Sequence, residues 1–180
     1  MKNLVMYKQR RFVFSAFLNM ALMIKEHRIE NTTFITILKG GMYTASNVLK
    51  NIFLPEDTII GYLGLSSYNN NTVGGGIQAT YIADLTSEIL EGRNVWIIDD
   101  ICDTSKTLER AIGMVQVYKP ASIKTAVLID KAKVREQNHF PKPDVVGFTC
   151  NENKFLVGCG MGIGEKYRTL DSVYEYIKEQ

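Results

Sequence analysis

Residues 94–108, NVWIIDDICDTSKTL, set four apolar residues directly before two carboxylates and a polar turn. The run Val95-Trp96-Ile97-Ile98 has no polar alternation. It therefore reads as a strand buried on both faces, as in a parallel sheet. Asp99 and Asp100 follow it, and then the turn Asp103-Thr104-Ser105-Lys106-Thr107. A helical pattern starts straight after, with Leu108, Ala111, Ile112 and Val115 on one face. Ligands of open α/β sheets bind beyond the carboxyl ends of the strands, where helix N-termini also point. Such a turn offers backbone N–H groups and hydroxyls to an anion. The adjacent carboxylates suit sugar hydroxyls or magnesium. A phosphorylated sugar uses both halves. No glycine stands before Lys106 at Walker-loop spacing, which excludes that kind of phosphate loop.

The rest of the chain alternates strand and helix patterns. Residues 12–24 are apolar apart from Ser15 and Asn19, with Lys8, Arg10 and Arg11 ahead of them. They lead into Lys25-Glu26-His27-Arg28 without a small-residue cleavage site. They also fall short of the ~20 residues of a membrane span. The expectation is a largely buried helix rather than a targeting segment. Residues 33–38 read as a strand, Lys39-Gly40-Gly41 as a tight turn, and Ala45, Val48, Leu49 and Ile52 as one helix face ending before Pro55. Residues 58–65 read as a second strand. Residues 67–76, SYNNNTVGGG, form a loop, because asparagine and glycine cannot build a core. The alternation of Ile77, Ala79, Tyr81 and Ala83 is a strand returning from that loop. The helix after the central strand ends at Pro120, residues 123–129 form another buried strand, and Asp130-Lys131 closes it. Residues 145–148 and 155–157 are short strands, and the tail from Leu170 is expected to be helical. This order predicts an α/β fold with a mainly parallel, twisted sheet flanked by helices.

A length of 180 residues suits one domain. A net charge of +2 gives no argument for nucleic acid or for an anionic membrane as partner. The odd set Cys102, Cys150 and Cys159 suits a reduced, cytoplasmic protein better than a disulfide scaffold.

The segment IIDDICDTSKTL resembles the phosphoribosyl-pyrophosphate motif of type I phosphoribosyltransferases, most closely the hypoxanthine-guanine phosphoribosyltransferases. Four further segments fall in that family's order: Leu38-Lys39-Gly40-Gly41, the Ser66-Ser67-Tyr68 loop, Lys131, and residues 142–148 running on to Lys154-Phe155-Leu156-Val157-Gly158 and Glu165-Lys166-Tyr167-Arg168. The resemblance spans about residues 33–170. It implies the type I fold as a single domain, 1–180, with a small hood built from the N-terminal helix and roughly residues 140–180. It implies a magnesium-dependent transfer in which N9 of a 6-oxopurine attacks the ribose C1 of phosphoribosyl pyrophosphate and pyrophosphate leaves. It also implies a homodimer or homotetramer.

The resemblance implies the following roles. Asp103, Thr104, Ser105, Lys106 and Thr107 cradle the 5′-phosphate. Asp99 and Asp100 bind the ribose hydroxyls, directly or through magnesium. Asp103 is in addition the catalytic carboxylate that handles a proton near purine N7. Leu38, Lys39, Gly40 and Arg168 bind pyrophosphate. Lys131 donates to the purine 6-oxo group, which disfavours adenine because lysine is donor-only. Phe155 stacks on the base, with Leu156 offering backbone contacts. Ser67 and Tyr68 open a loop that closes over the site.

Two positions depart from the family pattern. Ser105 stands where glycine is usual, at a place where positive φ or a close phosphate approach is expected. Gly162 stands where the family has an aspartate that supports the second magnesium and the pyrophosphate site. Glu165 is the nearby candidate to replace it. The same two departures raise an alternative: a regulator or nucleotide-binding protein of this fold with weak or no turnover.

Overall fold

The computed structural model describes residues 3–27, 29–67, 77–82, 85–137 and 139–178. The first half of the chain holds β1 (Leu4–Lys8), α1 (Arg10–Lys25), β2 (Thr32–Leu38), α2 (Gly41–Leu49), β3 (Ile59–Ser67), β4 (Ile77–Ile82) and α3 (Ser87–Leu90). The second half holds β5 (Asn94–Cys102), α4 (Lys106–Gln116), β6 (Ser122–Asp130), α5 (Ala132–Gln137), β7 (Val145–Thr149), β8 (Leu156–Val157) and β9 (Val173–Tyr176). Six strands form the main sheet in the order β4-β3-β2-β5-β6-β7. All neighbours in it pair parallel except β4, which returns antiparallel along β3. Residues 77–82 of the expected alternation are thus a strand on the sheet's edge, and Ala83 lies outside the described residues.

The continuous apolar strands are buried on both sides, and the period of two decides which side chain faces which layer. From β5, Trp96 and Ile98 point into one core with α1 and α2, joined by Phe34, Ala126 and Leu128 of the neighbouring strands. Val95 and Ile97 point into the other core, with Leu90 of α3 and Leu108, Ala111 and Val115 of α4. Each large side chain buried this way contributes about 1.5–3 kcal/mol.

Several elements differ from the sequence-based expectation. Helix α1 is amphipathic rather than largely buried. Val13, Ala16, Phe17, Met20, Ala21 and Ile24 form its inner stripe, while Phe12, Phe14, Leu22 and Met23 are exposed. The tail is not helical: β9 pairs antiparallel with β1 on one side and β8 on the other. Its register with residues 4–8 pairs backbone groups of the first and last described strands with each other. These three strands are the small second sheet. Its N-terminal contribution is β1, because α1 packs on the main sheet against β7 and α2. Strand β7 also belongs to the main sheet, so only the chain beyond it reaches the small one. Among the described residues, no helix is long and apolar enough to cross a membrane.

Candidate functional site

Strand β5 runs on through its two acids, so Asp99 and Asp100 lie inside the sheet rather than in a turn. Each accepts the next backbone N–H: Asp99 Oδ1 from Asp100 at 2.9 Å, and Asp100 Oδ1 from Ile101 at 2.8 Å. Both are buried. Burial, and then the negative charge of Asp100, pushes the Asp99 carboxyl well above its usual range. Burial also raises Asp100, while hydrogen bonds and the positive charge of Arg168 oppose the rise.

Two adjacent buried carboxylates are hard oxygen donors whose ionisation the fold itself disfavours. A divalent cation relieves that, with water and substrate oxygens completing its shell. The donor set therefore fits a metal of the magnesium type. Because both groups are raised in the folded state, their ionisation destabilises it. Metal-free stability falls as pH rises from the ordinary carboxylate range upward. Asp99→Asn is expected to melt higher than the wild type at pH 8 without metal, each kcal/mol appearing as about 2–4 °C. Its melting point should also rise less than that of the wild type when magnesium is added. A lower melting point with an intact magnesium response would contradict this.

Beside these acids, the segment after β2 makes a close turn. The Leu38–Lys39 peptide is cis. A Cβ on Gly40 would meet the carboxylate of Asp100, and one on Gly41 would meet the Ile98 carbonyl at 2.7 Å. Gly160, at φ +99°, lies against the carbonyl of Gly40 from the far side. Glycine is what lets three backbone segments converge here. Lys39 reaches out of this turn, and its Nζ donates to Glu165 Oε1 at 3.0 Å.

The second half of the site begins where β5 ends. Ser105 takes φ +69°, the left-handed conformation that favours glycine, and α4 starts at the next residue. Its hydroxyl lies 3.3 Å from Cys102 Sγ and does not cap the helix. The first-turn N–H groups of an α-helix have no intrahelical acceptor, so this helix start suits an anion beside Thr104 and Thr107. Burial pushes the Cys102 thiol up to about 11, so it is a neutral packing group behind the turn.

Across from that turn, Lys131 Nζ donates to Asp103 Oδ2 at 2.8 Å. The lysine side chain is 6% exposed and the aspartate 45%. The backbone N–H of Lys131 donates to the Cys102 carbonyl at 2.9 Å, which ties the ends of β5 and β6 together. A buried ion pair absent from the sequence reading supports this corner. Arg135 grips Asp130 with Nε–Oδ1 at 2.9 Å and Nη2–Oδ2 at 3.2 Å, and its Nη1 donates to the Phe140 carbonyl at 3.0 Å. An aspartate ending an apolar strand with an arginine five residues on is the signal that could have found it.

The remaining expected residues are placed as follows. Phe155 is 45% exposed and stands edge-on to Tyr176, while Leu156 is buried in β8. Arg168 is turned into its own loop: Nη1 donates to the Gly160 carbonyl at 2.9 Å and Nη2 to that of Gly164 at 3.3 Å. Glu165 does not join Asp99 and Asp100. It pairs with Lys39 and, at 3.5 Å, with Arg168. Among the described residues, no three His, Cys, Asp or Glu side chains gather to hold a metal. In this structure Glu165, the candidate to replace the missing aspartate, is engaged by two cations. Ser67 ends β3, and Tyr68 lies outside the described residues.

A family model described as a phosphoribosyl transferase domain matches residues 14–162. The Bacillus subtilis hypoxanthine-guanine phosphoribosyltransferase is 36% identical over 138 residues, covering 76% of this chain and 72% of the relative. The Homo sapiens hypoxanthine-guanine phosphoribosyltransferase is 32% identical over 146 residues, covering 77% of this chain and 65% of the relative. A Listeria innocua bifunctional protein, TilS/HprT, is 35% identical over 147 residues. The match covers 81% of this chain but spans only 21% of that longer relative. Among solved structures, a Bacillus anthracis hypoxanthine-guanine phosphoribosyltransferase superposes with a TM-score of 0.83 at 26% identity, over 96% of this chain and 98% of the other.

Proposed function

The chain belongs to the phosphoribosyl transferase domain family, and on that premise we propose that it transfers the 5-phosphoribosyl group from phosphoribosyl pyrophosphate to N9 of hypoxanthine or guanine in purine salvage. The observation that carries this reading is the Asp103–Lys131 pair, 2.8 Å apart, beside a helix start that can take a phosphate. It joins a carboxylate to a donor-only cation, which supports the proton-handling and base-reading roles assigned to them.

In this reading the 5′-phosphate rests on the α4 N-terminus, against the backbone of residues 103–107 and the Thr104 and Thr107 hydroxyls. Asp99 and Asp100 take the ribose hydroxyls. The same two acids would hold magnesium, which would supply charge neutralisation for the diphosphate. Leu38, Lys39 and Gly40 contact pyrophosphate through the turn's backbone and the lysine charge, with Arg168 joining once it leaves its loop carbonyls. The C1–O bond to pyrophosphate breaks as the C1–N9 bond forms. Asp103 accepts the purine proton at N7 that N9 attack makes acidic. Lys131 keeps one donor on Asp103 and offers another to the 6-oxo group. Phe155, exposed at the edge of the small sheet, supplies a face for the base. Residues 67 and 68 begin a segment that closes over the cation-like transition state and excludes water.

The same reading makes the protein a cytoplasmic homodimer or homotetramer. Three free, buried cysteines suit a reducing compartment. The outward apolar residues Phe14 and Leu22 of α1 suit a subunit contact.

Pyrophosphate release tests the proposal. Release should require phosphoribosyl pyrophosphate, magnesium and an oxopurine together. The absence of a carboxylate at Gly162 favours one rival, a nucleotide-binding regulator of this fold. Tight phosphoribosyl pyrophosphate binding with no release in the presence of any oxopurine would establish that rival instead.

A further inference from the structure

The loop over residues 160–168 has a charge arrangement that the proposed reaction does not by itself explain. Gly162 has no side chain, and the space a Cβ would take there is closed by the Lys166 carbonyl at 2.6 Å and by Arg168, whose Cγ lies 2.8 Å and Nε 3.3 Å from that position. The arginine folds over the glycine and bonds to the carbonyls of Gly160 and Gly164 on either side. Its Nε is buried without a hydrogen-bond acceptor. Glu165 Oε2 lies 3.5 Å from it, and the other oxygen of that carboxylate accepts from Lys39 at 3.0 Å. One exposed carboxylate thus bridges a cation from the 38–41 turn and a cation from the 160–168 loop. Its pKa is lowered chiefly by the Lys39 hydrogen bond.

We propose that Glu165 is a built-in counter-anion of the pyrophosphate subsite, closing Lys39 and Arg168 onto itself until a polyanion displaces it. This rests on the reading of Lys39 and Arg168 as the pyrophosphate-binding cations. A single carboxylate cannot hold two cations against a diphosphate that carries several charges and can take the guanidinium bidentately. Both partners of the lysine pair are well exposed, 61% and 70%, so the latch is weak and reversible. Its effect is to keep the leaving group from being held too tightly, since the same carboxylate competes for the same cations after bond cleavage. Glu165 is therefore a determinant of diphosphate affinity and release, and it does not take part in the chemical step.

The test is Glu165→Gln, an exposed and nearly isosteric change that leaves the core untouched. Pyrophosphate is titrated calorimetrically into wild type and variant, with and without magnesium, and its inhibition constant is measured in turnover. The variant should bind pyrophosphate about three- to tenfold tighter, the range expected when one or two exposed ion pairs no longer compete. The KM for phosphoribosyl pyrophosphate should fall in parallel, and kcat should fall if product release limits it. Equal binding by the two proteins, or weaker binding by the variant, overturns the inference and leaves the transferase reading standing. Absence of pyrophosphate binding in both proteins overturns the inference and the transferase reading together.

Discussion

Asp103→Asn should lower kcat by about a hundred- to ten-thousandfold, the range that a positioned acid–base group contributes. The substitution keeps the shape of the side chain and an oxygen for the Lys131 ammonium, 2.8 Å away in the wild type. What it removes is the ability to take a proton and the negative charge facing a buried lysine. Phosphoribosyl pyrophosphate contacts the neighbouring backbone and hydroxyls in the proposed mode, so its KM should change little. The aspartate is 45% exposed, so solvent screens the pair and the stability cost should be small, about 1 kcal/mol or 2–4 °C. Steady-state kinetics beside a melting curve separates these effects. A kcat within about threefold of wild type, far below the acid–base range, would remove Asp103 from the chemistry.

Arg135→Ala should have the largest effect on stability. Asp130 is 1% exposed and Arg135 7%, and the two are joined by two hydrogen bonds at the end of β6. Truncating the arginine leaves an ionised carboxylate in the core without a partner and frees the Phe140 carbonyl. Breaking such a buried pair costs about 3–5 kcal/mol. In a chain of this size that lowers the melting temperature by roughly 6–20 °C. Lys131 is the residue after Asp130, so activity should also fall at temperatures where the variant is still folded. The double substitution, Asp130→Leu with Arg135→Met, should recover most of the stability, because no charge is then left buried. A loss below about 1 kcal/mol for Arg135→Ala, the value of a surface pair, would mean the pair is not buried in solution.

The central strand and its turn are legible in the sequence because each signal there is local. Val95 to Ile98 admit no exposed face, and the polar turn that follows admits no core. The expectation of positive φ at position 105 follows from the family's glycine, and Ser105 does take φ +69°. The elements that the sequence hides are short and satisfied only at long range. Residues 4–8 and 173–176 carry too few residues to show a period, and each becomes a strand because the other is there. The outer face of α1 carries Phe12, Phe14, Leu22 and Met23 among its polar residues, so composition alone overestimates its burial. At the candidate site, Asp99, Asp100 and Asp103 are named by the motif and Lys131 by its place after the next strand. The partners of Glu165 do not, because Lys39 lies 126 positions away. Arg135 sits in a run of charges, KAKVREQ, that reads as solvated surface until Asp130 is seen pointing into it.

The most direct test of the proposed activity is the identity of the product. Purified protein is mixed with phosphoribosyl pyrophosphate and magnesium. Hypoxanthine, guanine, xanthine and adenine are supplied separately, and the products are separated and identified. The account predicts a nucleoside 5′-monophosphate joined through N9 from hypoxanthine or guanine, and none from adenine, because Lys131 offers only donors to position 6. Nucleotide formed from adenine as fast as from hypoxanthine, or none from any base despite bound phosphoribosyl pyrophosphate, would contradict it.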